Sequence, residues 1–401
     1  MLALASMRVL EVTQAMAGPF CGLLLAEMGA EVIKVESRER GEAARRNGPH
    51  YYGNESATFM AVNRNKKSVV LDLKAPAGRE AFIRLARRAH VILENNRPGV
   101  MDRLGLGWEV LRAENPGLIY ASISGFGQTG PYAHRGGYDL IAQGMSGIMS
   151  VTGEPGRPPV KAGVPVTDLG AALFCCYGIL SAYIYYLQTG QGQRVDTSLF
   201  EAGIGLSVWE STELWASGNI PQPQGSAHRN NAPYQALRAA DGYFTVGSND
   251  RLWPRFCEVL GDPELARDER FQTRALRKKN EAALIPRIEA ITQTRPVAYW
   301  LERLEAVGVP AGPIYTYDQV FRDPQTIARQ MVVEYDHPTA GRVKTLGKPV
   351  KLSLTPGKAP ECARLGEHTL EILTQVGGLT REEVDGLIQA GVAYQASLGA
   401  N

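Results

Sequence analysis

The residue whose type and position most directly suggest chemistry is Asp168. It lies where a loop punctuated by glycine and proline turns into an apolar run, and we expect a helix over residues 171–187. A carboxylate at the start of a helix lies near backbone amides without partners and near the positive end of the helix dipole, which keep it ionised and hold it in one orientation. Asp168 is therefore a candidate nucleophile. The alternative is that it only caps the helix, because aspartate is among the commonest N-cap residues.

The elements that must position this carboxylate form an alternating pattern. From Met7 to about Leu199, short β-branched runs alternate with helical stretches, which is typical of strands and crossover helices in a mostly parallel, Rossmann-like sheet. Ligands of such sheets bind at the carboxyl ends of the strands, so the residues directly after each strand are candidates for a binding site. Strands are predicted over residues 8–12, 29–36, 68–73, 90–94 and 118–123.

The length of the chain, 401 residues, is too great for one compact core and predicts two domains. Residues 217–233 are rich in Gly, Pro, Gln and Asn and lack apolar periodicity, as a linker or an active-site loop does. The predicted parts are a large α/β domain over 1–216, the loop over 217–233, a smaller α+β domain over 234–325, and a C-terminal segment over 326–401 that returns to the large domain.

The composition excludes several classes of function. Lys and Arg total 43 against 41 Asp and Glu, so the formal charge of +2 gives no overall field that attracts nucleic acid or an anionic membrane. No run of about 18 apolar residues is apparent, and residues 1–6 lack the basic region of a signal peptide. The five cysteines show no CxxC spacing and are expected to be reduced, buried thiols rather than metal ligands. These features predict a cytoplasmic protein without a metal ion, a nucleic-acid partner or a membrane partner.

Several ordered motifs accompany Asp168 along the chain. They are VLEVTQAMAGP at 9–19, LAEMGAEVIKVE at 25–36, NRNKKSVVLDLK at 63–74, ENNRPGVMDRLG at 94–105, SGFGQTGP at 124–131, GGYDLIAQ at 136–143 and ARLGEHT at 363–369. Together they closely resemble the family III CoA-transferases, a group that contains formyl-CoA:oxalate and carnitine CoA-transferases and is related to the α-methylacyl-CoA racemases. The resemblance covers essentially the whole chain.

The resemblance implies that Asp168 is the nucleophile of a CoA-transferase whose substrates are an acyl-CoA and a free carboxylic acid. Exchange of CoA between two acids suits a carboxylate nucleophile, because its attack on a thioester yields a mixed anhydride. The released thiolate then attacks the aspartyl carbonyl and forms an aspartyl-CoA thioester, which the second acid can enter. Water must be kept out, since hydrolysis would destroy either intermediate.

The resemblance also implies where coenzyme A is held. Met16 and Ala17 correspond to positions near the thiol end, and the family binds the thioester with residues that match Gly136, Gly137, Tyr138 and Asp139. The segments that hold adenine and ribose match Leu71, Asp72, Leu73 and Lys74 together with Asn95, Asn96 and Arg97, and a phosphate ligand matches Arg103. Where the family often has a CoA-binding arginine directly after the strand-end glutamate, this chain has Ser37 and then Arg38, which is the candidate for that role. Without this context, the basic residues would be read as a solvated surface.

Three other functions are weighed against CoA transfer. A racemase needs two proton-transfer groups, and the related racemases have a histidine where this chain has Tyr138, a poor base at neutral pH. His134 lies four residues earlier and is expected to decorate a loop. A Rossmann-type oxidoreductase lacks support, because no GxGxxG follows the first strand. The third alternative is a CoA-binding protein without turnover.

The sequence says least about which acid is the substrate and about the quaternary structure. Residues 224–233 occupy the place where formyl-CoA enzymes carry a run of glycines, and no such run is present. His228 and Arg229 in this loop are candidates to bind the distal carboxylate of a dicarboxylic acid, with a solvated surface as the alternative. Family members form intertwined, ring-like homodimers, so the resemblance implies a homodimer.

Overall fold

The computed structural model describes residues 1–38, 41–46 and 48–396, which form two compact units. The larger unit comprises Met1–Ile148, Ala162–Thr212 and Gln325–Asn401, and the smaller comprises Met149–Lys161 and Glu213–Pro324. Residues 149–161, which the sequence assigned to the large domain, thus belong to the smaller unit, as do residues 217–233.

Strands and helices alternate through the first half of the chain, as the sequence predicts. The strands are β1 (Arg8–Val12), β2 (Glu31–Glu36), β3 (Tyr51–Tyr52), β4 (Glu55–Ser56), β5 (Lys66–Leu71), β6 (Val91–Glu94), β7 (Ile119–Ser124), β8 (Arg194–Ser198), β9 (Tyr234–Arg238), β10 (Tyr243–Gly247), β11 (Ala311–Pro313), β12 (Val332–His337), β13 (Gly341–Leu346) and β14 (Ala393–Tyr394).

The helices follow the same chain order. They are α1 (Ala17–Glu27), α2 (Ala57–Asn63), α3 (Pro76–Ala86), α4 (Val100–Arg103), α5 (Trp108–Glu114), α6 (Asp139–Met145), α7 (Ile148–Val151), α8 (Val166–Thr189), α9 (Leu199–Leu206), α10 (Val208–Ser217), α11 (Trp253–Leu260), α12 (Glu264–Arg267), α13 (Arg274–Lys279), α14 (Glu281–Thr292), α15 (Val297–Ala306), α16 (Tyr317–Val320), α17 (Pro324–Ala328), α18 (Thr369–Gln375) and α19 (Arg381–Gln389), with a short 3₁₀ helix over Ala43–Arg45.

The sheet of the larger unit has the order β14-β5-β2-β1-β6-β7-β8. All neighbouring pairs are parallel except β14, which runs antiparallel to β5 at the edge. From β1 the chain moves outward through β2 and β5, and it then returns to the other side of β1 and continues through β6, β7 and β8. The direction of winding therefore changes between β1 and β6. In open α/β sheets such a switch point leaves a crevice at the carboxyl ends of the two strands.

Both faces of this sheet are covered, so its central strands are nearly continuous apolar runs. On one face, Val9 of β1 packs in a core with residues of α1 and α8. On the other face, Leu10 packs in a second core with residues of α3 and α18. Adjacent residues of β1 thus point to opposite sides, as the pleat of a strand requires.

Helix α8, which carries Asp168, is 24 residues long and begins five residues earlier than predicted. Among the described residues it is the one helix whose length and composition would allow it to cross a membrane, so the expectation of no such run was wrong. Its residues Ala171, Cys175 and Ile179 are buried in the core beside α1, as in a core helix.

The smaller unit contains the three-stranded antiparallel sheet β11-β10-β9 and the helices from α11 to α15. β9 and β10 form an antiparallel hairpin, with Tyr243 opposite Arg238. Trp253, Phe256 and Leu284 lie in a core of its own. A separate hydrophobic core is what allows such a unit to be compact.

Candidate active site

The carboxyl ends of three neighbouring strands and the start of α8 surround one cleft in the larger unit. Its volume is about 450 Å³. The turn after β1, the loop after β6 and the end of β7 form its walls, and Asp168 reaches it from the first turn of α8. The lining residues are Gln14, Ala15, Met16, Ala17, Asn95, Asn96, Arg97, Pro98, Val100, Ile123, Ser124, Gly125, Arg135, Gly136, Gly137, Tyr138, Asp168 and Leu199. The cleft lies at the switch point between β1 and β6.

A second cleft, of about 220 Å³, adjoins the first. Both are lined by Gln14 and Asn96, so the two clefts are neighbours across the strand ends and are together called the groove. The residues predicted to hold adenine and ribose, Leu71 to Lys74, line the second cleft, while Asp168 lies in the first. A groove with these two ends suits a long ligand that has its recognised group at one end and its reacting group at the other.

The backbone at the start of α8 is capped by Asp139, not by Asp168. The N-cap residue is Pro165, which places Asp168 third in the helix. Asp139 Oδ1 accepts hydrogen bonds from the Thr167 amide at 3.0 Å and from Thr167 Oγ1 at 2.7 Å. Gln143 Nε2 donates to Asp139 Oδ2 at 2.7 Å. The alternative that Asp168 merely caps the helix was therefore wrong, because a residue of α6 does so.

The carboxylate of Asp168 is half-buried and accepts no hydrogen bond from the part of the chain that the structure describes. Burial raises the pKa of Asp168 to about 6, and the negative charge of Asp139 adds to the effect. We predicted that the start of the helix keeps this carboxylate ionised. This was wrong about which effect on the pKa is larger, because burial raises it. A carboxylate with this pKa is mostly ionised at pH 7 and is more basic than an ordinary aspartate, which favours nucleophilic attack.

Two glycines hold the wall opposite β1 in place. Gly125 follows β7 and lies against the backbone of Gly137, so that a Cβ on Gly125 would come within 2.7 Å of Gly137 Cα. Only a residue without a side chain permits this approach. The contact places Gly136 and Tyr138 in the cleft, and Arg97 covers Gly136, with its Nη2 at 3.0 Å from the position that a Cβ would occupy.

Asn95 orders the turn after β1. Its Oδ1 accepts the amide of Gln14 at 2.8 Å, and its Nδ2 donates to the carbonyl of Gln14 at 2.8 Å. The loop after β6 is thereby fastened to the turn after β1. Asn95 lines the Asp168 cleft, not the second cleft where Leu71 lies, although the sequence grouped these residues as adenine and ribose ligands.

Several predicted residues lie outside both clefts. Asp139 is engaged with Thr167, as described above. Arg103 lies beside Gly99, with its Nη1 at 3.2 Å from the position of a Cβ there. Arg38 lies against Gly391 near the C-terminal end of the described chain.

His228 and Arg229 belong to the smaller unit. Arg229 Nη1 lies 2.8 Å from Glu213 Oε2, an ion pair that occupies part of its guanidinium. His228 Nδ1 accepts the amide of Asn230 at 3.0 Å, and the ring centroids of His228 and Tyr234 are 4.9 Å apart. Binding of a substrate carboxylate by Arg229 would have to compete with Glu213.

Sequence reasoning missed four polar or backbone positions of the main cleft, which are Gln14, Ala15, Ser124 and Arg135. The signal was available for each, because they follow β1, end β7 or directly precede Gly136. Within the described residues, no group of three or more His, Cys, Asp or Glu side chains is placed to hold a metal ion.

Comparison with known proteins shows the family to which the chain belongs. The chain is 40% identical over 384 residues to a succinyl-CoA–D-citramalate CoA-transferase of Chloroflexus aurantiacus, which covers 95% of this chain and 96% of that protein. It is 36% identical to a succinyl-CoA:glutarate CoA-transferase of Mus musculus, over 98% of this chain and 90% of that protein. A crystal structure of a CAIB/BAIF family protein from Brucella suis superposes with a TM-score of 0.83 at 41% identity, over 94% of this chain and 99% of that one. The profile of CoA-transferase family III matches residues 4–369. These matches confirm the resemblance drawn from the motifs, and the chain belongs to CoA-transferase family III.

Proposed function

We propose that the protein transfers CoA from succinyl-CoA to a second dicarboxylic acid, with Asp168 as the group that carries the acyl chain and then CoA. The observation that carries this proposal is the Asp168 carboxylate itself. It lies half-buried, without a hydrogen bond among the described residues, at one end of a groove whose other end is formed by Leu71 to Lys74.

The reaction proceeds by four acyl transfers on the Asp168 carboxylate. An Asp168 oxygen attacks the thioester carbonyl, the C–S bond breaks, and the CoA thiolate leaves a mixed anhydride behind. The thiolate attacks the aspartyl carbonyl, which releases the first acid and forms an aspartyl-CoA thioester. The carboxylate of the second acid attacks this thioester and forms a new anhydride, and the thiolate then attacks the carbonyl of the second acid. The products are the new acyl-CoA and free Asp168, and no water is consumed.

Residues of the groove have distinct roles in this scheme. Met16 and Ala17 contact the thiol end of CoA, and Leu71 to Lys74 contact its adenine and ribose. Arg97 provides positive charge between the two ends, where the phosphates lie. The backbone amides of Gly136 and Gly137 are close enough to the cleft to stabilise the oxyanion of each tetrahedral intermediate.

The side chains of the cleft favour acyl transfer over racemisation. A racemase requires an acid and a base on opposite faces of the α-carbon. Among the cleft residues of the described chain, Asp168 carries a carboxylate and Tyr138 a phenol, and His134 does not line the cleft. Tyrosine is a weak base at neutral pH, so the second proton-transfer group is missing.

A dicarboxylic acid as the second substrate is supported by two observations. The two relatives described above are named for succinyl-CoA and for the dicarboxylic acids D-citramalate and glutarate. Arg97 and Arg135 also line the cleft, the Arg135 guanidinium lies over the Tyr132 ring, and among the described residues no carboxylate forms an ion pair with either arginine. One of them can bind the CoA phosphates while the other binds a distal carboxylate. Arg229 stays a second candidate for this role, in competition with Glu213.

The apolar surface of the larger unit supports a homodimer. On α8, Tyr177 is 70% exposed and Leu187 is 64% exposed, and Trp209 at the start of α10 is 70% exposed. Exposed apolar side chains of this size are typical of a protein interface when they lie together on one surface. Tyr138 in the cleft is 75% exposed, so exclusion of water from the intermediates needs a cover that a second copy could provide. The intertwined form of this dimer and a cytoplasmic location, which suits five free cysteines, complete the proposal.

A trapping experiment tests the function. The protein is incubated with succinyl-CoA, with acetyl-CoA or with glutaryl-CoA in the presence of hydroxylamine, and the peptide containing Asp168 is examined by mass spectrometry. We expect an Asp168 hydroxamate that is most abundant with succinyl-CoA, together with transfer of CoA to glutarate or citramalate in the absence of hydroxylamine. Asp168→Asn serves as the control, because it keeps the shape of the side chain. Undiminished transfer by Asp168→Asn would refute the proposed role.

A further inference from the structure

Beneath the turn that separates β1 from α1 lies a cluster of four buried charged side chains, here called the buried charge cluster. Its members are Glu11, Lys34, Glu42 and Lys66, and none is more than 4% exposed. Lys34 Nζ lies 2.9 Å from Glu11 Oε1 and 2.6 Å from Glu42 Oε2. Lys66 Nζ lies 2.8 Å from Glu11 Oε2. Two positive and two negative charges therefore neutralise each other inside the protein.

The cluster hydrogen-bonds the backbone at two points of the turn and at one point in the first turn of α1. Glu42 Oε1 accepts the amide of Ala15 at 2.8 Å. Lys34 Nζ donates to the carbonyl of Thr13 at 3.1 Å, and Lys66 Nζ donates to the carbonyl of Pro19 at 2.8 Å. The turn is thus held from inside by ionised side chains, whose hydrogen bonds are stronger than those of neutral groups.

Ala15 has an unusual backbone conformation. Its φ is +66°, in the left-handed region that residues with a Cβ adopt only at a cost. Such a residue keeps this conformation when its surroundings hold it, and such residues concentrate at functional sites. Asn95 holds the neighbouring Gln14 from the side of the cleft, and Glu42 holds the Ala15 amide from the core.

The same turn forms the wall of the cleft that contains Asp168. Ala15, Met16 and Ala17 all line it, whereas none of the four charged residues does, and Glu42 lines the second cleft instead. Stability alone gives little reason to bury four charges, because apolar side chains of similar volume would often stabilise a core as well. A carboxylate held in one orientation can accept a hydrogen bond from the amide of a strained residue, which an apolar side chain cannot do.

We propose that Glu42, oriented by Lys34, is a positioning residue for CoA transfer. Its carboxylate keeps Ala15 in the left-handed conformation and thereby sets where Met16 and Ala17 meet the thioester beside Asp168. The inference rests on the proposed function of Asp168. It predicts that loss of Glu42 lowers kcat more than it raises the KM for succinyl-CoA, because the groups that line the Asp168 cleft remain and only their placement changes, whereas a role of Glu42 only in the second cleft would change mainly the KM.

Two substitutions at Glu42 separate the roles of its oxygen and its charge. Glu42→Gln keeps an oxygen that can accept the Ala15 amide but gives up the charge that pairs with Lys34. Glu42→Ala removes the acceptor entirely. We expect kcat to fall roughly tenfold to a hundredfold in Glu42→Ala, to fall less in Glu42→Gln, and to change more than the KM for succinyl-CoA in both.

A matched control distinguishes positioning from general destabilisation. Glu27 is 3% exposed and pairs with Arg64 at 3.0 and 2.6 Å in the same unit, but it lines neither cleft. Glu27→Gln should lower the Tm as Glu42→Gln does and leave kcat unchanged. Hydrogen exchange of the peptide over residues 13–19 provides a readout without substrate, and it should accelerate in Glu42→Ala and not in Glu27→Gln.

Glycine at position 15 provides a second test, because glycine adopts positive φ without strain. In an Ala15→Gly background, the loss of kcat caused by Glu42→Ala should be smaller than in the wild-type background. The inference is overturned if Glu42→Ala is as active as Glu27→Gln, or if the loss is equally large in both backgrounds. Transfer by Asp168→Asn in the same assay would overturn the proposed function and this inference together, whereas an inactive Asp168→Asn beside a fully active Glu42→Ala overturns the inference alone.

Discussion

The pH dependence of the reaction should report the environment of Asp168, and Asp139→Asn is the change that tests this. Burial is the larger cause of the rise in the pKa of Asp168 to about 6, and the negative charge of Asp139 is the smaller cause. Asparagine at 139 removes the charge and keeps an oxygen that can accept the Thr167 amide and hydroxyl. The substitution should therefore lower the pKa of Asp168 without releasing the start of α8.

The size of the effect follows from the order of the two causes. The pKa rises from the ordinary 3.8 to about 6, and Asp139 contributes the smaller part of that rise. The acid midpoint of kcat/KM should thus lie near pH 6 in the wild type, and it should move down by less than about one pH unit in Asp139→Asn. Only ionised Asp168 attacks, so activity is present above the midpoint and is lost as the pH falls through it.

The assay is the profile of kcat/KM for succinyl-CoA between pH 4.5 and 8, at constant ionic strength, because this parameter reports the free enzyme. Asp196→Asn is the control, since Asp196 is an exposed carboxylate of the same unit that does not shift the pKa of Asp168. It should leave the midpoint in place. An acid midpoint that stays unchanged or moves upward in Asp139→Asn would refute the reasoning.

Three further predictions concern stability, packing and assembly. The pKa of Asp168 is higher in the folded than in the unfolded state, so ionisation of this group destabilises the fold as the pH rises from about 4 to 6. Asp168→Asn removes the ionisable group and should therefore raise the Tm by about 2–5 °C at pH 7.5 and by less at pH 4.5. Gly137→Ala should lower CoA-transfer activity at least tenfold by forcing the cleft wall away from β7, whereas Gly386→Ala, in open space on α19, should leave activity unchanged. Tyr177→Asp on the exposed side of α8 should convert a dimer into monomers in analytical ultracentrifugation, and a wild-type protein that is monomeric at micromolar concentration would contradict the proposed interface.

Much of the fold could be predicted from the sequence, because the patterns that specify strands and helices involve neighbouring residues. β1 has the predicted bounds, and the other predicted parallel strands agree to within a few residues, because alternation of apolar runs with turn residues is a property of neighbouring positions. The segment after β8 forms two helices, α9 and α10, which are separated at Ser207. No apolar pattern marks such a break.

The order of the strands and the contacts that hold Asp168 in place could not be predicted from the sequence in the same way. Asp139 caps a helix that begins 27 residues later, and the sequence pattern of α8 made Asp168 the natural candidate for that role. Glu42 accepts the amide of a residue 27 positions earlier. Contacts between residues so far apart in the chain produce no periodic pattern in the sequence. The motifs that indicate the family do not show which atoms are in contact.

The sequence by itself determined the class of fold, the family and the identity of the candidate nucleophile, because these depend on residue types and on patterns that span a few turns or strands. Only the tertiary structure decided the electrostatic state of Asp168, the left-handed conformation of Ala15 and the contact of Gly125 with Gly137. Each of these depends on the burial and the charge that distant segments bring to one place. A pKa and a strained φ are sums over neighbours in space, and the neighbours are known only when the chain has folded.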